Sequence, residues 1–173
     1  GFLVPFHRHD AFVNSQYWQV DLGDGVEVLT FAAAIERLLA DPVFRSDPAV
    51  RQKRLTALYE AMRDAACDPE FMVELQDEII KVFGAGDVMV RFRSSSNAED
   101  VLGFSGAGLY ESTNACVADD LDGEASGPSR CDASEPEERG LCRAMKKVWA
   151  SLWLVRAFEE REWYGMDHSL AAM

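Results

Sequence analysis

The fold of this chain is decided by residues 87–108, which read DVMVRFRSSSNAEDVLGFSGAG. The first part, from Asp87 to Arg93, follows a glycine turn and is rich in valine and phenylalanine, as short β-strands are. A polar run with consecutive serines comes next, and a glycine-rich segment occupies residues 103–108. A second β-type run covers residues 109–115. The sequence therefore predicts a small sheet whose two strands are separated by polar and glycine-rich loops.

Helices are predicted before this segment, because capping signals and apolar spacing coincide there. Asp-Pro pairs at 41–42, 47–48 and 68–69 each place a capping carboxylate before a proline at the first helical position. After Asp68, apolar residues recur every three or four positions until Gly84. With further helices predicted over 9–16, 30–40 and after Asp47, the N-terminal half is expected to be mainly helical.

The C-terminal part is predicted to consist of a loop and one long helix. Residues 117–135 are rich in Asp, Gly, Ser and Glu, which favours a flexible acidic surface loop. Ser134 and Glu137 have the spacing of a capping box and predict the start of a helix that ends at Gly165. Its inward face contains Trp149 and, one turn later, Trp153, which we expect to be core residues.

Composition excludes several classes of protein. The chain has 173 residues, 48% of them hydrophobic, and a net charge of −13, which suits one globular domain that repels nucleic acid and anionic membranes. No apolar run approaches the ~20 residues of a membrane span, and the start does not resemble a signal peptide. The four cysteines have irregular spacing and no C-x-x-C pair, so we expect reduced thiols in a cytoplasmic protein.

Residues 93–108 have the composition of a phosphate-binding segment. An arginine at the end of a strand can bind a phosphate through two parallel hydrogen bonds, and serine hydroxyls and amides can assist it. Glu99 and Asp100 follow, and could orient Arg93 or contact a hydrated Mg²⁺. The glycines match neither a P-loop nor a G-x-G-x-x-G fingerprint. The alternative from the residues alone is a tight hairpin in which Arg93 forms a structural ion pair with Glu99 or Asp100.

The same segment, extended to Ser112, closely resembles the nucleotide-binding domain of the pyruvate phosphate dikinase and phosphoenolpyruvate synthase family. Glucan water dikinases and rifampicin phosphotransferases share this domain. A second block agrees, KVWASLW at 147–153 followed by RAFEER at 156–161, and so does the opening GFLVPF at 1–6. The resemblance is strong over 88–114 and 145–168 and thin elsewhere.

The resemblance implies an α+β fold, mainly helical with a small β-sheet, that forms the smaller lobe of an ATP-grasp nucleotide-binding domain. It implies that ATP, with Mg²⁺, phosphorylates a histidine on a separate carrier domain of the same parent chain. Arg93 would be the catalytic residue and would contact the phosphates. The family pattern also places the loop of Ser105, Gly106, Ala107 and Gly108 over the triphosphate. The remaining candidates for nucleotide binding follow from the residues themselves and are Ser94, Ser95, Glu99 and Asp100.

The whole chain, 1–173, is expected to be a single partial domain that is inactive alone. The family's Gly-Gly-Lys segment would lie before Gly1, and its Glu, Gln and Arg residues for adenosine and metal would lie after Met173. The rest of the ATP-grasp domain is therefore an expected partner. No protein metal ligand is assigned within the chain, and the phosphoryl acceptor is not indicated. The alternative function is a non-catalytic regulatory or interaction module that retains the fold.

Other polar and charged residues are expected to be structural. His7 and His9 point to different faces of a helix start and are expected to be solvated, and His168 is expected to be structural or exposed. None of the three is assigned as the phospho-carrier. Arg156 and Arg161 could face the nucleotide, but the neighbouring glutamates favour surface ion pairs.

Overall fold

The computed structural model describes residues 1–21, 23, 25–97, 100–101, 103–124 and 126–173, with the backbone alone for Asp100 and Val101. The described helices are α1 Phe6–Ser15, α2 Phe31–Ala40, α3 Pro42–Ser46, α4 Pro48–Asp64, α5 Pro69–Phe83, α6 Val117–Leu121, α7 Leu141–Ala150 and α8 Val155–Trp163. The described strands are β1 Tyr17–Asp21, β2 Val26–Thr30, β3 Val90–Phe92, β4 Asp100–Val101, β5 Phe104–Ser105 and β6 Thr113–Ala115. Short 3₁₀ turns cover Ser151–Trp153 and His168–Leu170. The predicted α+β, mainly helical fold is confirmed.

The aspartate-proline signals begin helices as predicted. The Oδ1 atoms of Asp41, Asp47 and Asp68 accept hydrogen bonds from backbone amides two residues later, at 2.7, 2.8 and 3.0 Å. A proline occupies the first turn of α3, α4 and α5. At the other end of α5, Gly84 has a φ of +83°, the left-handed backbone that glycine adopts without steric cost.

The strands form three antiparallel pairs within the described residues. β3 pairs with β6, with Val90 opposite Ala115 and Phe92 opposite Thr113, which confirms the predicted sheet with shorter strands. β4 pairs with β5 and brings the polar run back toward the glycine-rich segment. The pair of β1 and β2 was not predicted; it buries Val20 on one face and leaves Tyr17, Val26 and Val28 exposed on the other.

Helices α4 and α7 contribute the centre of the hydrophobic core. Buried side chains of α4 include Leu55, Leu58 and Met62, and those of α7 include Leu141 and Trp149. Trp153 is also buried, so the prediction that both tryptophans are core residues is confirmed. The buried aromatic rings of α1, α2 and α5 that surround this centre are Phe12, Phe31 and Phe71.

The prediction of one long C-terminal helix is wrong about where the helix starts and about its continuity. Helix α7 begins at Leu141 after Gly140, which offers no side-chain cap, and the chain becomes extended at Leu154 before α8 begins. Ser134 instead bonds Asp132 at 2.7 Å, and Glu137 pairs with Arg143. The spacing of a capping box is therefore not sufficient to start a helix when its two side chains bind other residues nearby.

Residues 117–135 are not an irregular loop throughout. Their first five residues form α6, in which Val117 and Asp119 are buried. The Asp119 carboxylate accepts hydrogen bonds from the Arg130 and Arg139 amides, both at 2.7 Å. This acidic residue is thus part of the fold, because it satisfies two backbone donors of the following segment.

The prediction of four reduced thiols is wrong. Cys67 is disulfide-bonded to Cys142 and Cys116 to Cys131, with Cα–Cα distances of 5.9 Å in both pairs. The partners are 75 and 15 residues apart in sequence, so their irregular spacing could not reveal the pairing. The fold brings them together, because the loop before α5 lies beside the start of α7 and residue 131 returns to the N-terminus of α6.

The expectation that His9 is solvated is also wrong. The side chain is buried, 3% exposed, and its ring meets the Trp149 ring edge-on at a centroid distance of 5.9 Å. Neither ring nitrogen has a hydrogen-bond partner among the described residues. Burial lowers the pKa of His9 to about 4, so the imidazole is neutral at physiological pH.

Candidate functional site

A cavity of about 160 Å³ opens beside the end of β3. Its wall combines the first residues of the chain with side chains of α5 and α7 and is mostly apolar. The lining residues are Gly1, Phe2, Leu3, Val4, Leu75, Ile79, Phe83, Val90, Arg91, Phe92, Arg93, Ser95, Met145, Val148, Trp149 and Met173. The cavity thus places two arginines and a serine at the edge of an apolar recess.

Arg93 lies immediately after Phe92, the last residue of β3, and its side chain is exposed at this cavity. It makes no hydrogen bond or ion pair with any residue that the structure describes. The other arginine of the strand is different, because Arg91 donates a hydrogen bond to Asn114 Oδ1 at 3.0 Å. Arg93 is therefore the arginine of this pair whose whole guanidinium is open to an anion, whereas Arg91 uses one donor on Asn114.

The serine-rich run beyond Arg93 is tied to the C-terminal segment by Asn97. The Asn97 side chain donates to the Leu170 carbonyl at 2.8 Å and accepts from the Ala172 amide at 2.9 Å. Ser95 and Met173, on either side of this contact, both line the cavity. Asn97 and Met173 carry no signal in the sequence, because no local pattern of residues distinguishes an asparagine that contacts a segment 75 residues away.

Ser105 ends β5 and is followed by Gly106, Ala107 and Gly108. These four residues are called the glycine turn. Ser105, Ala107 and Gly108 are exposed, whereas Gly106 is buried. The Leu109 amide donates to the Gly106 carbonyl at 3.0 Å, and Gly108 has a φ of +79°. Among the described residues, none of this turn lines the cavity beside Arg93. The lining of this cavity thus contains Ser95 together with Arg93, and no residue of the glycine turn.

The predicted acidic residues of the site lie largely outside the described structure. Glu99 is not among the described residues, and Asp100 is described only by its backbone, which pairs with Ser105. Ser94 is partly buried and has interactions of its own. The roles assigned to these three residues therefore remain predictions.

A separate group of carboxylates lies in the 117–138 region. The Asp122, Glu124 and Glu138 oxygens lie within 4.8 Å of one another. Arg130 lies against two of them, with its Nε 2.8 Å from Asp122 and its Nη2 3.2 Å from Glu124. The hydrogen bond from Arg130 holds the pKa of Asp122 below its usual value. An arginine side chain thus already neutralises part of this group.

The expectation that Arg156 and Arg161 form surface ion pairs with neighbouring glutamates is wrong. Arg161 is fully buried and donates hydrogen bonds to the Leu152 carbonyl at 2.7 Å and to the Tyr110 hydroxyl at 3.3 Å. Arg156 is exposed, and its Nε donates to the Leu109 carbonyl at 2.9 Å. Both arginines of α8 therefore contact the residues that follow the glycine turn.

His168 has a structural role, as expected. It is buried and stacks on Phe158 with a centroid distance of 3.9 Å. Its Nδ1 accepts from Arg161 Nε at 3.3 Å, so Nε2 carries the proton and donates to Glu162 at 2.9 Å. Burial lowers the pKa of His168, which favours this neutral form.

Comparison with known protein families places these features in context. The family model described as "Pyruvate phosphate dikinase, AMP/ATP-binding domain" matches residues 14–173. Comparisons with curated proteins and with solved structures found no match. No helix in the described part of the chain is long and apolar enough to cross a membrane. Since the family model covers most of its length, the chain belongs to the family of the pyruvate phosphate dikinase AMP/ATP-binding domain.

Proposed function

We propose that this chain is the ATP-binding portion of a dikinase-type phosphotransferase, similar to phosphoenolpyruvate synthase and pyruvate phosphate dikinase. Such an enzyme transfers a phosphoryl group from ATP to a histidine on a separate domain. The family match supports the nucleotide-binding part of this proposal. The observation that carries its chemistry is the exposed guanidinium of Arg93, which has no described protein partner beside an apolar cavity.

Arg93 is suited to the phosphate end of the nucleotide. A guanidinium presents two parallel N–H donors to a phosphate, and such a charge-assisted hydrogen bond contributes about 1.5–3 kcal/mol. Phosphoryl transfer requires positioning and neutralisation of developing negative charge more than covalent catalysis by the protein. We therefore assign Arg93 as the catalytic residue that orients the phosphates and stabilises the transition state.

The cavity beside Arg93 is suited to an uncharged part of the ligand. Ligand sites combine an apolar wall with a few placed polar groups, and here Ser95 and Arg93 interrupt a wall that includes Phe2, Val148 and Trp149. Its volume of about 160 Å³ is below the roughly 300 Å³ at which typical ligand pockets begin. We infer that this chain holds only part of the nucleotide and is inactive alone.

We assign the Ser105–Gly108 turn to the triphosphate, with Ser94, Glu99 and Asp100 as further nucleotide-binding residues. The exposed Ala107 and Gly108 leave the backbone of the turn open to a close approach by phosphate oxygens. When bound with ATP, Mg²⁺ would neutralise phosphate charge, and Glu99 and Asp100 would hold its water shell. The same assignment implies two partners within the parent chain. They are the remainder of the ATP-grasp domain and the phospho-carrier histidine domain.

A cytoplasmic location remains part of the proposal, but on the family resemblance alone. The sequence argument for it assumed reduced thiols, whereas the structure has two disulfides. Because disulfides persist mainly in oxidising compartments, they count against that location.

The function is tested by Arg93→Ala in the intact parent enzyme. We expect the formation of phosphohistidine from ATP to fall at least a hundredfold, since removing one preorganised charge-stabilising donor costs about that much in other enzymes. Arg143→Ala is the matched control, because Arg143 is an exposed arginine of α7 whose partner is Glu137. An unchanged rate for Arg93→Ala would remove it from the mechanism. A parent protein that binds ATP without forming phosphohistidine would favour the non-catalytic module.

A further inference from the structure

We propose that helix α8 is a platform that holds the glycine turn in the conformation that receives the nucleotide, with Arg156 and Arg161 as positioning residues. This inference rests on the proposed function of the turn. It concerns two arginines for which the neighbouring glutamates in the sequence favour surface ion pairs. It is carried by contacts that join α8, or the residue that follows it, to both ends of the turn.

The first contacts are at the exit of the turn. Arg156, in the first turn of α8, donates its Nε–H to the Leu109 carbonyl at 2.9 Å. Arg161, little more than one helical turn later, donates to the hydroxyl of Tyr110 at 3.3 Å. Leu109 and Tyr110 directly follow Gly108, which has a φ of +79° and, because it lacks a Cβ, can adopt other backbone conformations at little steric cost. The two arginines thus fix the residues just beyond the most adaptable point.

A further contact is at the entry of the turn. The Phe104 ring lies in strand β5, directly before Ser105, and meets the Tyr164 ring edge-on at a centroid distance of 5.2 Å. Tyr164 is the C-terminal capping residue of α8. Entry and exit are therefore both held against one helix, while Ala107 and Gly108 between them remain exposed.

The environment of Arg161 explains why it can act as a fixed support. The side chain is fully buried, and it forms no ion pair with a described carboxylate. Each of its three nitrogens instead donates to one acceptor, namely the Leu152 carbonyl, His168 Nδ1 or the Tyr110 hydroxyl. A buried guanidinium that loses a hydrogen bond is left with an unsatisfied donor, which is costly. The need to satisfy Arg161 therefore also constrains the position of Tyr110.

Hydrogen exchange of the ATP-free protein tests the platform independently of nucleotide binding. Tyr110→Phe removes the hydroxyl and keeps the ring, and Arg156→Ala removes the donor to Leu109 from an exposed position. In each variant we expect the Leu109 amide, which donates to the Gly106 carbonyl across the turn, to exchange roughly three- to tenfold faster, with β3 and β6 unchanged. Arg156→Lys, which keeps a cationic donor, should restore part of the protection. The matched controls are Arg143→Ala and Tyr17→Phe, both at exposed positions outside α8 and the turn.

The KM for ATP of the parent enzyme then connects the platform to function. We expect Arg156→Ala to raise this KM several-fold at an unchanged melting temperature, which a merely structural role would not do. Tyr110→Phe should raise the KM as well, but with a lower melting temperature, because buried Arg161 loses an acceptor. Unchanged exchange of the Leu109 amide would overturn the platform, whatever the kinetics show. Faster exchange with an unchanged KM would support the platform and contradict the nucleotide role of the turn, so the two failures are distinguishable.

Discussion

The carboxylate of Asp120 accepts a hydrogen bond from the Leu141 amide at 2.9 Å and so caps helix α7 from 21 residues upstream. The carboxylate of the neighbouring Asp119 accepts a hydrogen bond from the Arg139 amide. Two acidic residues of α6 thereby satisfy donors at the start of a central core helix. The arrangement also explains Gly140, because a Cβ at that position would lie 2.5 Å from Asp120 Oδ1.

We expect Gly140→Ala and Asp120→Ala to destabilise the protein through the same lost contact. Each variant should reduce the free energy of unfolding by about 1 kcal/mol, the usual value of a helix cap. Because alanine at 140 displaces the Asp120 carboxylate, the double variant should lose little more than either single variant. Urea unfolding of the four proteins measures this cycle.

The control for that cycle is Gly86→Ala, since its Cβ would lie 3.5 Å from Val117, an ordinary packing distance. Its effect should be smaller. Additive losses for Gly140→Ala and Asp120→Ala would show that the glycine is required for a reason other than the cap.

The two disulfides are expected to stabilise the fold unequally. Cys67 and Cys142 close a loop of 75 residues, whereas Cys116 and Cys131 close one of 15. Chain entropy predicts that Cys67→Ser with Cys142→Ser costs about 4.5 kcal/mol, and Cys116→Ser with Cys131→Ser about 3 kcal/mol. Chemical unfolding without reductant measures both losses.

Thiol titration of the unreduced native protein provides the check on the pairing itself, and no reactive thiol is expected. Four reactive thiols would contradict both bonds. With reductant present, the stability of the wild-type protein should approach that of the variants, because the same loop constraints are then lost.

Burial of His9 should make stability depend on pH. The pKa of His9 is lowered from 6.5 to about 4 by burial, and the nearby Asp10, with Oδ1 3.8 Å from His9 Nδ1, offsets this only in part. Between these pKa values the unfolded chain binds more protons than the native one, so stability falls as the pH falls. His9 should account for a loss of about 2 kcal/mol at pH 5 relative to neutral pH.

His9→Leu should remove that part of the pH dependence, since an apolar side chain neither titrates nor leaves ring nitrogens unpaired. Unfolding free energies at pH 7 and pH 5 give the comparison. His7→Leu is the control, because His7 is exposed on the same helix and should leave the slope unchanged. Burial also lowers the pKa of His168, which contributes with the same sign in every variant. An unaltered slope in His9→Leu would mean that His9 is solvated.

ATP should bind to this chain only weakly. We expect a dissociation constant in the millimolar range or above, about −4 kcal/mol, because the cavity is small and, of the two arginines that line it, Arg91 also donates to Asn114. Calorimetry or amide chemical shifts with ATP measure it, and Arg93→Ala should abolish it while Arg143→Ala should not. Micromolar binding would show that the nucleotide site is more complete than we propose.

Local sequence signals predicted the elements whose causes lie within a few residues. The caps of α3, α4 and α5 are aspartates two residues before the amides that they bind, so an Asp-Pro pair was enough to locate them. Strand β3, with Arg93 just beyond its end, was predictable because a run of β-type composition directly follows Gly84 and Gly86 in the chain. The serine segment was identified for the same reason, but its attachment through Asn97 to Leu170 was not.

By itself, the sequence determined the helical character of the first half, the family and the position of Arg93 at the end of a strand. Tertiary structure decided the pairing of the cysteines, the burial of His9 and Arg161, and the start of α7. Each of these depends on groups far apart in the chain: Asp120 reaches Leu141, and Arg161 reaches Tyr110 across 51 residues. Burial and long-range hydrogen bonding are properties of the packed molecule. A local pattern of residue types reports only interactions that the chain can make with its immediate neighbours.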